Sequence, residues 1–338
     1  MANLTTRRSL LKTGLLACAA GTLPRMAHAA PEFQFKYGNS SPEAHPLNIR
    51  MREAAERIKQ QSNGRVELQV FPNGQLGSDT DMLSQMRGRS LDFVTLSSVL
   101  LASLVPIAGI AGIGFAWDSY DKIWSAMDGE LGTHIRQGIT KADIYAFEKP
   151  FENGYRHITS STKPIQGPDD LKGFKIRVPP APLWTSMFKA FGSVPVTMNF
   201  NEVYAAMQTK LVEGHENTLP NIYFTKIYEV QKYVSLSRHM WDPYWMMTSR
   251  RNWDGLPADI RELLVRNLTE AAYRQREDIR RDDESIVGNL AKNGIQIVQV
   301  EAAEFQKALK NAGFYKEWQG KFGTESWDIL EKYTGPIG

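Results

Sequence analysis

The chain has 338 residues, 40 Lys and Arg against 37 Asp and Glu, 42% hydrophobic and 10% aromatic residues, and a single cysteine. That length fits two domains with sizeable cores, and the composition excludes a disordered, collagenous or disulfide-stapled chain. The net charge of +3 comes from Arg7, Arg8, Lys12 and Arg25 in an acid-free N-terminus; the remaining body is near neutral, which argues against a nucleic-acid partner, since binding phosphates requires a basic stripe.

The N-terminus reads as an export address. Thr6-Arg7-Arg8-Ser9-Leu10-Leu11-Lys12 is a twin-arginine pattern, an uncharged stretch follows from Thr13 to Pro24, and Ala27-His28-Ala29 offers small residues for a signal peptidase. Residues 1–29 are therefore expected to be a twin-arginine signal peptide, with cleavage before Ala30 and a periplasmic location. A second reading takes Leu15-Leu16-Ala17-Cys18 as a lipoprotein box with a lipidated Cys18. If Cys18 leaves with the signal, the mature chain forms no disulfide.

In chain order, Phe33–Tyr37 reads as a strand and Pro46–Ser62 as a helix stopped by Asn63-Gly64. Val66–Val70 alternates with period two, as a half-buried strand does. A helix starts near Ser78 and a strand covers Leu91–Leu96; this β-α-β-α-β run predicts a mostly parallel sheet covered by helices. No residue between Asp92 and Asp118 is charged, a length that could span a membrane. Pro106, Gly109, Gly112 and Gly114 interrupt it and acids flank it, so a buried strand followed by an apolar loop is the expectation. Tyr155–Thr159, Lys175–Val178, Tyr233–Ser237 and Tyr244–Thr248 are further strands. Pro257 to about Asn293 reads as one helix longer than a small domain is wide, a spine shared by two lobes. Ile295–Val300 is then a strand, and Ala302–Tyr333 is mainly helical.

Signatures of catalysis are sparse. G-x-S-x-G, a Walker loop and G-x-G-x-x-G are missing, and His45, His134, His157, His215 and His239 show no metal-ligand spacing. His215-Glu216 opens like H-E-x-x-H but has Leu219 where the second His belongs. No metal or cofactor is expected. Arg177 lies near the end of the apolar strand Lys175–Val178, next to the Pro-rich Pro179-Pro180-Ala181-Pro182. Two readings of it stand: a carboxylate-binding Arg at a strand end facing a crevice, using its planar fork, or a surface Arg paired with Asp169 or Asp170.

Asp170-Leu171-Lys172-Gly173-x-Lys175-Ile176-Arg177-Val178-Pro179 resembles a signature of the DctP-type solute-binding proteins of TRAP transporters. So does Val194-Pro195-Val196-x-Met198 with Glu202-Val203-Tyr204-x-Ala206-Met207-Gln208-x-Lys210-x-Val212-Glu213-Gly214-x-Glu216-Asn217, and the likeness includes Gly74-Gln75-Leu76-Gly77. Lys210 and Glu213-Gly214-His215 stand where the family more often has Gly and Asp-Gly-Gln. The resemblance implies an α/β fold: a two-lobed periplasmic binding protein (venus flytrap), with mixed sheets in each lobe and a long helix spanning both. Its lobes would be 30–153 plus about 243–282, and 154–242 plus about 283–338. It implies capture of a small organic carboxylate and delivery to TRAP membrane permease subunits, as a monomer or a dimer. Arg177 matches the family's main carboxylate-binding arginine, Arg156 a second arginine, and Asn217 an asparagine bonding the same carboxylate.

Phe200 matches a position packing on the ligand; Ser97 would face the cleft from the other lobe, and Trp184, Trp241 and Tyr244 would line its far end. Ordinary core packing is the competing reading for each aromatic. Trp117, Trp184, Trp241, Tyr244 and Trp245 form an aromatic set that tilts the expected ligand toward an aromatic or hydroxylated monocarboxylate over a sugar acid. Two other function classes stay open on sequence: a secreted hydrolase or isomerase acting on an organic acid through His215 and Glu216, and a ligand-sensing receptor subunit.

Overall fold

The computed structural model describes residues 30–338, so the twin-arginine stretch, the cleavage site and Cys18 lie outside the described residues. Ten strands follow in order: β1 Phe33–Gly38, β2 Val66–Phe71, β3 Phe93–Ser97, β4 Ile144–Ala146, β5 Phe151–Ser160, β6 Lys175–Val178, β7 Val194–Thr197, β8 Gly214–Thr218, β9 Tyr233–Ser249 and β10 Gln296–Gln299. They join in the order β2-β1-β3-β9-β5-β8-β6-β7, with β4 and β10 also on β9. β1 pairs parallel with β2 and β3, and β6 parallel with β7 and β8. The β3–β9, β5–β9 and β5–β8 pairs are antiparallel, so the fold is a mixed α/β sheet system. The first three strands are parallel, as the alternating sequence run demands.

Local chemistry sets where the first helices begin. The helix Pro46–Gln61 begins with Pro in its first turn and with His45 accepting the Leu47 N–H. It buries Leu47, Met51, Ala54 and Ile58 along one face. The helix Asp79–Arg87 starts on a capping box between Ser78 and Asp81. That reciprocal cap fixes where Asp79, its first residue, lies. The uncharged stretch folds as β3, a short helix Ser98–Leu101 and a buried 3-10 segment Pro106–Gly112, and among the described residues no helix is long and apolar enough to cross a membrane.

β5 and β9 run from one half of the sheet to the other. Phe151 of β5 pairs with Tyr244 and Ser160 with Tyr233, with register shifts at Glu152/Gly154 and Arg156/Ile158. Gly154 has φ +117°, a backbone open mainly to glycine, and Arg238 of β9 is left-handed at φ +45°. Tyr233–Ser237 and Tyr244–Thr248, predicted as two strands, are one 17-residue strand. The charge and proline between them mark irregular register within that strand, where β9 bulges against β5.

The helix Ala258–Lys292 covers 35 residues, about 52 Å at 1.5 Å per residue. Leu264, Leu268 and Ala271 pack in one apolar cluster with β1 and the helix Pro46–Gln61, whereas Ile286 and Leu290 belong to a separate cluster with Val203, Met207 and Ile222. One helix thus ties together two cores. Midway, Gln275 clamps the Glu152 backbone, accepting its N–H at 2.8 Å and donating to its carbonyl at 2.7 Å. Arg276 binds the Pro150 carbonyl and Asp128. The C-terminal segment folds as three helices, Ala302–Asn311, Phe314–Phe322 and Thr324–Thr334.

His45, His157 and His215 are buried and held neutral, burial pushing each down to about 3. Their lowered folded values make them stabilising above their unfolded value, near 6.5, and that contribution drains away as pH falls from there toward 3. At pH 5 each accounts for about 2 kcal/mol lost. His215→Gln is expected to shrink the stability gap between pH 7.5 and pH 5 by about that amount, read by urea denaturation at both pH values. An unchanged gap would show that His215 titrates normally in the fold.

Candidate functional site

Charged groups converge where β3, β6 and β8 end beside the middle of β5 and the start of the helix Asp79–Arg87. The cavity there is about 40 Å³, room for roughly two or three waters. Larger surface grooves of about 780 and 510 Å³ are open and present exposed lysines such as Lys189 and Lys141; burial of opposed charges, not volume, distinguishes the small one.

Arg177 sits on β6, 2% exposed. Its Nε and Nη2 both donate to the Met198 carbonyl, at 3.0 and 2.7 Å. Neither Asp169 nor Asp170 pairs with it; Asp169 pairs with Lys172 instead. Burial pushes the guanidinium down to about 10, against the pull of Glu216. The Arg177 charge is therefore carried in the interior on a backbone carbonyl, with no carboxylate bonded to it among the described residues.

Arg156, on β5, is differently placed. Its Nε and Nη2 grip the Glu216 carboxylate at 2.5 and 2.8 Å, and Asp242 lies 4.0 Å from its Nη1. The guanidinium also lies over the Trp184 ring, 4.8 Å from its centroid. Burial alone would raise the Glu216 carboxyl, but Arg156 and His239 outweigh it and hold the group ionised. Pairing of β5 with β8 brings these residues together: Arg156 is opposite Thr218 and Ile158 opposite Glu216. Gly214 allows it, since a Cβ there would come within 2.0 Å of the Thr159 carbonyl oxygen.

Asn217 follows Glu216 on β8. Its Oδ1 accepts the Thr218 N–H and the Asn221 amide, and its Nδ2 has no partner among the described residues. Phe200 lies 5.9 Å from the Arg177 guanidinium, ring facing it. Ser97 donates to Asp242 at 2.5 Å and accepts the Leu100 N–H. Tyr244 accepts from Ser41 and Asn221. Of the sequence-derived set, Arg177, Arg156, Asn217, Phe200, Ser97, Trp184 and Tyr244 share this cavity.

Trp241 does not, and that expectation is corrected. It lies three residues from Tyr244 on one strand, so the two side chains leave opposite faces. Its Nε1 donates to buried Glu152, and its ring packs edge-on against Trp117 and Trp124. Trp245 donates to Ser98 behind the cavity. The aromatic set therefore divides: Trp184 and Tyr244 stand on the wall with Phe200, whereas Trp117, Trp241 and Trp245 do not.

Sequence reasoning missed Asp79, Ser40, Leu100, Asn153, Pro179 and Asn221, which complete the wall. Asn221 stands one helical turn beyond Asn217 across the Pro220 helix start, a spacing that could have flagged it. Burial raises Asp79, opposed by Ser40 and Arg177. Behind the wall, Asp242 is pushed up to about 6 by burial, against Arg156 and the donors Ser97, Val99 and Asn153. His215 is buried and bonded to Thr159, off the cavity, and Glu216 is taken by Arg156, so the pair shows no acid–base geometry toward a ligand. Among the described residues no group of three or more His, Cys, Asp or Glu is placed to hold a metal.

A family model described as DctP, bacterial extracellular solute-binding protein, family 7, matches residues 37–319. The 2,3-diketo-L-gulonate-binding periplasmic protein of Escherichia coli is 27% identical over 90% of each chain. Two solved TRAP periplasmic solute-binding proteins superpose closely. One, from Sulfurospirillum deleyianum with bound succinate, has a TM-score of 0.85 at 27% identity, covering 91% of this chain and 100% of its own. The other, from Polaromonas with bound D-erythronate, has a TM-score of 0.84 at 27% identity, covering 90% and 99%.

Proposed function

This chain belongs to the DctP family of bacterial extracellular solute-binding proteins, the two-lobed binding subunits of TRAP transporters, and from that premise we propose that Arg177 anchors the carboxylate of a small organic acid for delivery to a membrane permease. The observation that carries this is the contrast between two buried arginines: Arg156 is paired with Glu216, whereas Arg177, among the described residues, hydrogen-bonds only the Met198 carbonyl. An anion leaving water needs charged, preorganised donors, and Arg177 with the free Asn217 amide supplies them.

On this reading the lobes meet at 153/154 and 242/243, near a register shift between β5 and β9, and at about 282/283 within the helix Ala258–Lys292. Asn199 donates to Thr80 across the cleft at 3.2 Å, a contact that opening would break. A ligand touching both lobes stabilises the closed form more than the open one, and only that difference drives closure. The protein works in the periplasm after export by the twin-arginine route, and it returns its ligand chemically unchanged rather than acting on it.

The test is a thermal-shift screen against small organic acids and their neutral amides. An acid at 100 times its dissociation constant adds about 2.7 kcal/mol of stability. Stabilisation by an acid but not by its amide is expected, with the acid recovered intact after long incubation. Equal shifts from acid and amide, or a converted product, would contradict the reading.

A further inference from the structure

The cavity wall offers both donors and acceptors. The donors are the free Asn217 Nδ2 and the Tyr244 hydroxyl, whose oxygen already accepts twice. Beside them stand acceptors. Asp79 contributes a carboxylate at the start of its helix, and the Asn221 Oδ1 is buried on the wall with no partner among the described residues.

Ser97 is made an acceptor as well. Its proton goes to Asp242 at 2.5 Å and one lone pair takes the Leu100 N–H at 3.3 Å, leaving the other lone pair toward the cavity. Asp242 also holds Asn153 through that amide's Nδ2 at 3.0 Å. Asp242 itself does not touch the cavity; it is a positioning residue that fixes which way its neighbours point.

Resting on the carboxylate reading above, we propose that this acceptor wall selects a monocarboxylate bearing hydroxyl donors and rejects a second carboxylate, with Asp79 as the specificity-determining group. A hydroxyl can donate to Asp79, to Ser97 and to Asn221. A second carboxylate would set an anion against the Asp79 charge and against unshared lone pairs, a cost that a buried site does not screen.

The test is calorimetric titration of D-erythronate, a hydroxylated monocarboxylate, and of succinate, an unsubstituted dicarboxylate. The wild-type chain is expected to bind D-erythronate at least tenfold more tightly than succinate. Asp79→Asn should narrow that ratio at least fivefold, chiefly by improving succinate. Asp242→Asn should narrow it by weakening D-erythronate, because an amide can donate to Ser97 and turn its proton into the cavity. Equal wild-type affinities, or an unchanged ratio in Asp79→Asn, would overturn the selectivity and leave Arg177 as the anchor. A chain that binds neither acid, or binds D-erythronate unaffected by Arg177→Lys, would overturn the carboxylate reading itself.

Discussion

Arg177→Ala is expected to weaken binding of the cognate acid by about 3–5 kcal/mol, roughly 100- to 5,000-fold, because it leaves a desolvated carboxylate without its cation. Arg177→Lys should recover only a small part of that loss. A lysine is a point charge and cannot hold the Met198 carbonyl and a carboxylate through one planar fork. The ligand-free fold should respond oppositely. Burial already pushes Arg177 down to about 10, so its charge is a strain on the unliganded protein. Arg177→Met is expected to leave urea stability unchanged or slightly higher while abolishing binding. A variant that unfolds along with losing affinity would mean that the arginine is a structural brace.

Glu216→Ala should show the reverse pattern. It would leave Arg156 buried beside only the more distant Asp242, and removing one partner of a buried ion pair costs about 3–5 kcal/mol. The loss should appear in denaturation of the ligand-free protein, before any acid is added. Because the lowered Glu216 value stabilises above the ordinary glutamate range and fades as pH falls below it, the deficit should be large at neutral pH and shrink toward pH 3. Glu216→Ala with wild-type stability at pH 7.5 would show that the Arg156 charge is met elsewhere.

The two arginines look alike in sequence. Arg177 was legible because it ends an apolar strand beside prolines within a family-like motif, and Asn217 because its motif continues through β8. Their difference was not legible, since Glu216 reaches Arg156 only through pairing of strands 60 positions apart. The first three strands followed from periodicity, and the long helix from its apolar spacing and a run without Pro or Gly as far as Gly288. β9 did not, because its bulged middle carries the charge and proline that ordinarily end a strand. Trp241 was misplaced for want of strand alternation, a rule available from sequence once β9 is known to be continuous. Asp79 escaped notice because a helix-capping segment explains an acid there equally well, and only the fold turns it toward Arg177.

The most direct measurement is a crystal structure of the chain with its stabilising acid bound. The account predicts a carboxylate within about 2.7–3.0 Å of the Arg177 guanidinium, with the Arg156–Glu216 pair intact beside it. A ligand whose carboxylate rests on other groups, with Arg177 still turned wholly to the Met198 carbonyl, would contradict it.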